Sequence, residues 1–207
     1  MTRVRKSPTI TLRCNHKQIL TKRMNYKETP IYFVDIETTG PSSQSDRVIE
    51  LAVLKTVGLK EVDRFHTLIN PQRTIPYFIQ NFTGIKPNMV SQKPGFSEIA
   101  KDLNDFLEPG LFVAHNVNFD YNFLKKSLKR EGFELDMPKL CTVRLSRKLF
   151  PEHRKHNLDS VAARMNLQIE NRHRALDDCQ VLVDFLNKLH EQMCNETLAL
   201  EIKKLIN

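Results

Sequence analysis

The stretch IYFVDIETTG (residues 31–40) is the feature that most constrains the fold. It begins with a continuous run of β-branched, aromatic and apolar residues, which is typical of a buried central strand. Asp35 and Glu37 lie two positions apart in it, and side chains at that spacing project from the same face of a strand. Because two carboxylates this close repel each other, we expect a cation to hold them together. Its other ligands must then come from elsewhere in the chain.

Chain length and composition indicate one ordinary domain. The 207 residues are 40% hydrophobic, which is enough for a core, and the apolar runs are too short to cross a bilayer. The N-terminus lacks the apolar block of a signal peptide. The cysteines form no CxxC pair, so we expect free thiols in a reducing cytoplasm and no membrane association. The four cysteines are Cys14, Cys141, Cys179 and Cys194.

The net charge of +8 is concentrated at the N-terminus. Residues 1–23 hold seven of the 32 basic residues and no acid, which leaves 25 basic against 24 acidic residues elsewhere. A basic arm of this kind attracts phosphates through counterion release. A solvated leader and a translation start at Met24 are the simpler alternatives. We assign residues 1–29 to a basic extension expected to be flexible, residues 30–190 to the domain, and residues 191–207 to a tail for which a helix is one option.

The order of the predicted elements indicates a layered α/β domain. Three strands come first, and their short connections favour antiparallel neighbours, so we expect a meander. Strands then alternate with helices, which predicts a mixed sheet flanked by helices. The predicted strands are residues 31–36, 47–57, 61–70, 111–116 and 137–143. The predicted helices are residues 75–84, 95–110 with Ser97 as a cap, 118–132, 144–150, 157–165 and a long one from about Ala175.

Further acids lie near the predicted helix starts. Asp120 follows the fourth predicted strand, and Asp177 and Asp178 open the last long helix, with His173 just before it. Taken singly, each acid is explained by its favourable interaction with the helix dipole. One of the adjacent pair is equally explained as a solvated first-turn acid, and a lone histidine is most often a surface residue.

Taken together, these residues predict a metal-dependent site. Five side chains would converge only around a charged ligand: Asp35, Glu37, Asp120, Asp178 and His173. Four acids without a cysteine or histidine cluster describe an oxygen-ligand site for a hard cation, Mg²⁺ or Mn²⁺. Two such ions about 3.5–4 Å apart stabilise both the attacking water and the leaving oxygen of a phosphodiester. His173 is suited to take the proton from that water near neutral pH.

Three motifs, in this order, resemble those of the DnaQ-like DEDDh 3′-to-5′ exonucleases. They are DIETTG, AHNVNFD and HRALDD, and in the last the histidine precedes the aspartate by five positions. The intervening segments INPQRTIP, TGIKPNMV and HNLDSVAARMNL are similar to the proofreading (epsilon subunit) domains of bacterial DNA polymerase III. The likeness runs from about Ile31 to Leu189. It implies a ribonuclease H-like fold, with a mixed five-stranded sheet whose second strand is antiparallel.

The resemblance also implies an activity and a set of catalytic residues. The activity is the removal of nucleoside 5′-monophosphates from DNA 3′ ends, preferably single-stranded, in proofreading or repair. His173 corresponds to the general base, and Asp178 is preferred to Asp177 because it has the family spacing from His173. Asp35 would bridge the two ions. The implied ligands of two Mg²⁺ or Mn²⁺ ions are Asp35, Glu37, Asp120 and Asp178.

Six further residues are implied at the substrate. Two lie near its terminal 3′ hydroxyl, Thr38 and Thr39. Three lie beside the scissile phosphate, His115, Asn116 and Phe119. Ile85 occupies the place where family members wedge an apolar side chain against the last bases, and stacking contacts with bases are worth about 1–3 kcal/mol. Core packing is the alternative explanation for Ile85 and Phe119.

Two other functions remain open. DEDDh exoribonucleases that trim RNA 3′ ends or degrade short oligoribonucleotides share all five catalytic residues. A pocket that accepts or rejects the 2′-hydroxyl cannot be predicted from the sequence. A catalytically silent nucleic-acid-binding domain is the other alternative, although none of the five residues is lost here.

A DNA polymerase catalytic subunit is the protein partner that the resemblance implies. The stand-alone proofreading subunit carries a polymerase-docking segment after its nuclease domain, whereas little follows Leu189 here, so a free-standing repair enzyme is equally compatible. Residues 180–185 match a sliding-clamp-binding pattern of Gln, aliphatic and aromatic residues. They lie in the predicted last helix, where Val181, Leu182 and Phe185 are better explained as a core stripe.

Overall fold

The computed structural model describes residues 28–206. The predictions for the basic arm, a start at Met24 and the Cys14 thiol lie outside the described residues. Within residues 28–206, a single five-stranded sheet separates two large hydrophobic clusters, one on each face. Helices cover both clusters, so the predicted layered α/β architecture is confirmed.

The sheet has the predicted topology. Its spatial order is β3-β2-β1-β4-β5. The second strand pairs antiparallel with the first and third, and the fourth runs parallel to the first and fifth. Three parallel strands therefore end at the same edge of the sheet, where ligand sites of α/β proteins commonly lie. The strands are β1 (Ile31–Thr38), β2 (Val48–Val57), β3 (Lys60–Leu68), β4 (Leu111–Ala114) and β5 (Lys139–Cys141).

Eight helices occur between residues 28 and 206. They are α1 (Tyr77–Thr83), α2 (Pro87–Val90), α3 (Phe96–Phe106), α4 (Val117–Arg130), α5 (Thr142–Leu149), α6 (Leu158–Met165), α7 (Ala175–Gln192) and α8 (Asn195–Leu205). Proline at the first position of α2 suits a helix start, because its missing N–H has no intrahelical partner there. The predicted cap at Ser97 is wrong: α3 begins after Gly95, whose N–H donates to the Glu98 carboxylate at 2.6 Å.

Alternate residues of β1 pack against opposite layers, as the period of a strand requires. Ile31 and Phe33 belong to the cluster formed with α6, α7 and α8. Tyr32 and Val34 belong to the cluster formed with α3 and α4. Asp35 and Glu37 continue the series of Ile31 and Phe33, so both carboxylates lie on the face of the sheet that α7 covers.

The final helices complete the core. Val181, Leu182 and Phe185 on α7 are each at most 1% exposed, which confirms that they form a core stripe. In α8, Leu198 and Ile202 are fully buried against the same cluster. The C-terminal segment thus packs onto the body of the domain.

Two smaller expectations are also tested by the structure. Cys141, Cys179 and Cys194 are free thiols, as predicted. Within residues 28–206, none of the helices combines the length and the apolar character needed to cross a membrane.

Candidate active site

Four acidic side chains meet where the parallel strands end. Asp35 and Glu37 lie near the end of β1, while Asp120 and Asp178 lie in the first turns of α4 and α7. The helix α4 follows β4 directly, and β4 runs parallel to β1, so Asp120 reaches the same edge as the two strand acids. The helix α7 packs on β1 and β2, and it brings Asp178 to that edge from the other side.

These acids line one cavity of about 180 Å³. Asp177, the alternative to Asp178, is not among its lining residues, which agrees with the choice made from the motif spacing. The cavity is lined by Asp35, Ile36, Glu37, His115, Asn116, Phe119, Asp120, Leu158, Arg172, His173 and Asp178.

The electrostatics of the cavity are those of a strongly acidic cluster out of bulk water. Burial, followed by the charges of the other acids, raises the pKa of Asp35 well above its ordinary range. Burial also raises the pKa of Glu37 and of Asp120 to about 8, and that of Asp178 to about 6. A group of carboxylates with such raised pKa values binds protons or cations avidly, because either one relieves the repulsion.

The side chains fit a divalent metal site. Ligand atoms of Glu37, His173 and Asp178 all lie within 4.8 Å of one another. Asp178 is 3% exposed, and its buried Oδ1 has no hydrogen-bond partner in the described part of the chain. An unpaired buried carboxylate oxygen is costly unless a ligand completes it. Carboxylate oxygens without thiols match the preference of Mg²⁺ and Mn²⁺.

Arg172 is a component of the site that the sequence reasoning missed. Its guanidinium lines the cavity and forms ion pairs with Asp178 and with Asp159 on α6. Its Nη1 also lies 3.5 Å from Nδ1 of His173. Its position in the sequence, directly before the histidine of the third motif, was the signal that could have identified it. In this structure its positive charge partly compensates the acidic cluster.

His173 lies directly before the first turn of α7, in a left-handed backbone conformation with φ of 61°. Burial and the neighbouring Arg172 charge lower the pKa of His173 from its ordinary value of 6.5. The ring of Phe82 lies over the imidazole, with 3.8 Å between ring centroids. The imidazole is therefore held at the cavity wall, and it is predominantly neutral near pH 7.

A second, apolar cavity of about 640 Å³ adjoins the acidic one and shares Ile36, Glu37 and Phe119 with it. Phe78 and Phe82 line it from α1, yet they remain 63% and 57% exposed. Single exposed apolar residues are common, but a contiguous apolar surface such as this cavity wall often marks a binding site. The sequence reasoning missed both, although their i, i+4 spacing on a short helix places them on one face.

Besides Asp120, the second motif contributes His115, Asn116 and Phe119 to the acidic cavity. His115 Nδ1 lies 2.9 Å from the hydroxyl of Thr142, which in turn donates to the Ala114 carbonyl. Burial lowers the pKa of His115 to about 4, and a hydrogen bond with the His156 backbone offsets part of this effect.

Asn116 and Phe119, which also line this cavity, differ in exposure. Asn116 is exposed in a left-handed conformation, with φ of 70°. Phe119 lines both cavities while its ring also packs against Phe123, at 4.9 Å between centroids. The two explanations offered for Phe119, core packing and a surface at the site, are therefore compatible.

The structure corrects the expectation for Ile85. This residue is fully buried in a small cluster with Ile49, Ile75, Ile79 and Val90, so its side chain does not face either cavity. The chain turns inward at Gly84, whose φ of 72° ends α1 in a left-handed conformation. The aromatic residues of α1 occupy the cavity wall instead.

The two threonines of the first motif differ from each other. Thr38 lines the apolar cavity, and its hydroxyl donates to the Gly40 carbonyl at 2.7 Å. Thr39 is 2% exposed, and it is bonded within the turn to Asp46 and to the Arg47 backbone. The hydroxyl of Thr39 is thus committed to holding the turn in this structure, and only Thr38 faces a cavity.

Comparison with known sequences agrees with this geometry. A family model described as "Exonuclease" (RNase_T) matches residues 32–186. A PolC-type DNA polymerase III of Clostridium perfringens is 37% identical over 171 residues, which are 83% of this chain and 12% of that protein. The 3′-5′ exonuclease DinG of Bacillus subtilis is 35% identical over 164 residues, 76% of this chain and 18% of that protein. The chain thus spans only a small part of these relatives.

Solved structures share the fold. Exonuclease X in complex with 5′ overhanging duplex DNA superposes with a TM-score of 0.65 and 23% identity, covering 83% of this chain and 99% of the other. E. coli exonuclease I in complex with a dA16 oligonucleotide gives a TM-score of 0.72 and 17% identity, covering 83% and 42%. The sheet order and these neighbours together establish a ribonuclease H-like fold. The chain therefore belongs to the RNase_T (DnaQ-like) exonuclease family.

Proposed function

We propose that this domain is a 3′-to-5′ exonuclease that removes nucleoside 5′-monophosphates from DNA 3′ ends by two-metal-ion hydrolysis. The observation that carries the proposal is the convergence of four carboxylates and His173 in one cavity. That cavity adjoins an apolar one with exposed aromatic walls. The first arrangement suits phosphodiester hydrolysis, and the second suits an unstacked base.

The acidic residues would hold the cations, and His173 would move the proton. Asp35, Glu37, Asp120 and Asp178 would bind two Mg²⁺ or Mn²⁺ ions. Such ions, when bound, stabilise the charge on the attacking and leaving oxygens. His173 takes the proton from the attacking water, and its lowered pKa keeps the imidazole in the basic form near pH 7. His115 and Asn116 line the same cavity, and there they would lie beside the scissile phosphate.

The apolar cavity would hold the terminal nucleoside. Phe78 and Phe82 offer exposed ring faces on which a single-stranded base stacks without regard to its identity. Because Phe82 also contacts the His173 ring, a base resting on it lies next to the general base. Thr38 and Phe119 close the side of the cavity nearest the acids. The exposed phenylalanines thus take the role that was expected of Ile85.

DNA is favoured over RNA because the two sequence relatives quoted above are a DNA polymerase, at 37% identity, and a 3′-5′ exonuclease, at 35% identity. The same similarity supports a DNA polymerase catalytic subunit as the candidate protein partner. We place the reaction in the cytoplasm, where the three free thiols of the described chain would remain reduced.

The proposal is tested by incubating the protein with single-stranded DNA and RNA oligomers of matched sequence, labelled at the 5′ end. Reactions contain Mg²⁺, Mn²⁺ or EDTA. Two matched variants run alongside, Asp178→Asn and Asp177→Asn, which remove neighbouring charges inside and outside the cavity. We expect a ladder of shortened products that needs the metal, is lost in Asp178→Asn and persists in Asp177→Asn.

Each outcome has a defined meaning. Faster shortening of DNA supports the proposal, whereas faster shortening of RNA would assign the domain to the exoribonucleases. Loss of activity in both variants would mean that the charge of the helix start matters rather than a specific ligand. If wild-type protein shortens neither oligomer with either metal, the proposal fails for this domain, and a silent binding module or an enzyme that needs a missing partner is the better account.

A further inference from the structure

Glu50 is a buried acid beside the site whose presence the proposed mechanism does not explain. It lies on β2 directly opposite Glu37 in the register of β1 and β2, and it is 0% exposed. Its charge adds to the repulsion that raises the pKa of Glu37. Burial alone would raise the pKa of Glu50, but hydrogen bonds from His66, Arg174 and the Ala175 N–H lower it to about 2, so the charged form is held in place. Well-packed apolar residues nevertheless often replace buried ion pairs without loss of stability. Stability alone therefore gives a poor reason for Glu50.

Glu50 is instead tied to the start of α7. Arg174 donates to both of its oxygens, from Nη2 to Oε1 at 2.8 Å and from Nε to Oε2 at 3.0 Å. The backbone N–H of Ala175 donates to Oε2 at 3.2 Å. The pair joins residues 124 positions apart, and a bidentate guanidinium–carboxylate contact fixes orientation as well as distance.

The contact replaces a missing helix cap. Arg174 is the N-cap residue of α7, and its side chain caps no N–H of its own helix within the described structure. The first N–H groups of a helix need an acceptor, and here the acceptor comes from β2. The helix start, and not only one side chain, is thereby docked onto the sheet.

The docked segment carries two residues of the site. His173 immediately precedes Arg174, and Asp178 lies in the first turn, where its N–H donates to the Arg174 carbonyl at 3.0 Å. A rotation or slide of this turn would move both away from Glu37. His173 also has a positive φ, a conformation that the surrounding structure must hold in place.

We propose that the Glu50–Arg174 pair positions the first turn of α7 against β1, so that Glu50 is a positioning residue for His173 and Asp178. The inference rests on the proposed exonuclease function. It also makes a prediction for metal binding that does not require turnover.

The test compares Glu50→Gln and Arg174→Gln with His66→Gln. The His66 ring also contacts Glu50, at 2.9 Å, but it comes from β3 on the far side of β2 and is a matched control. Two quantities are measured: kcat and KM on single-stranded DNA well below the melting temperature, and Mn²⁺ affinity from the electron paramagnetic resonance signal of free Mn²⁺. Arg174→Lys is included because it keeps the charge but loses the bidentate geometry.

Positioning predicts the same direction of change in both partners. We expect Glu50→Gln and Arg174→Gln each to lower kcat and Mn²⁺ affinity by about tenfold to a hundredfold, the usual effect of losing an orienting partner. KM is expected to stay within about twofold, His66→Gln to resemble wild type, and Arg174→Lys to be intermediate.

Two results would overturn the inference. If the pair acts only through its charge, Glu50→Gln weakens Mn²⁺ binding while Arg174→Gln tightens it. If the pair is merely structural, the melting temperature falls while kcat and Mn²⁺ affinity at low temperature match wild type. Should wild-type protein have no nuclease activity, the proposed function fails by itself, and Mn²⁺ affinity still decides whether the pair positions the ligands.

Discussion

Replacing Glu37 by glutamine is expected to stabilise the metal-free domain while abolishing its metal binding. Burial, with the Asp178 and Glu50 charges, raises the pKa of Glu37 from 4.5 to about 8. The folded state therefore holds this proton more tightly than the unfolded chain does. The stability that this contributes is fully present below the unfolded pKa and is lost as the pH rises through the folded pKa. A glutamine side chain does not titrate, so the advantage of the variant should grow with pH.

The size of this effect on stability follows from the shift in the pKa of Glu37. At 1.36 kcal/mol per pKa unit, a rise from 4.5 to about 8 corresponds to roughly 3–4 kcal/mol between pH 5 and pH 8. Glu37 is partly exposed, so solvent screens part of this repulsion. We therefore expect the free energy of unfolding of Glu37→Gln, relative to that of wild type, to rise by about 2 kcal/mol between pH 5 and pH 8.

The assay is urea unfolding in EDTA at pH 5 and pH 8, with the free energy of unfolding extrapolated to water. Asp102→Asn is the matched control, because it removes a carboxylate that is exposed on α3. Both variants are compared with wild type at each pH. Adding Mn²⁺ at pH 8 should stabilise wild type and leave Glu37→Gln unaffected. The reasoning would be refuted if the free energies of unfolding of Glu37→Gln and wild type differed by the same amount at both pH values.

Three further predictions concern the cavity walls. Phe82→Ala should raise KM for single-stranded DNA about tenfold, which is the value of one stacking contact. Tyr77 is exposed and lies outside both cavities, so Tyr77→Ala should not raise KM. Equal KM values for the two variants would contradict a base at Phe82. The hydrolysis rate should increase with pH as His173 loses its proton below pH 6.5, because His173 acts in its neutral form and its pKa is lowered. His173→Asn should lower kcat and lose this pH dependence. Arg172→Ala should tighten Mn²⁺ binding about tenfold, because it frees the Asp178 carboxylate from a charge-assisted hydrogen bond. Weaker Mn²⁺ binding in this variant would show that Arg172 supports the site instead.

Local sequence patterns were sufficient to predict the strands and helices that carry the four acids, and the positions of those acids on them. The two-residue spacing of Asp35 and Glu37 fixes their common face in any strand, whatever surrounds it. Helix starts after β4 and before Ala175 place Asp120 and Asp178 in first turns. The order of strands and helices predicted a meander followed by a mixed sheet, and the family resemblance added the arrangement of five strands that collects these positions at a single edge.

The tertiary structure alone decided which apolar side chains face the substrate and which charges pair. Ile85 and Phe82 are both apolar and lie three positions apart, but the left-handed turn at Gly84 directs one into the core and leaves the other exposed. Glu50 and Arg174 are separated by 124 positions, and only the packing of α7 on β2 brings them together. Periodicity is a property of the local backbone, whereas burial and ion pairing depend on contacts between segments distant in sequence, and no local pattern encodes those.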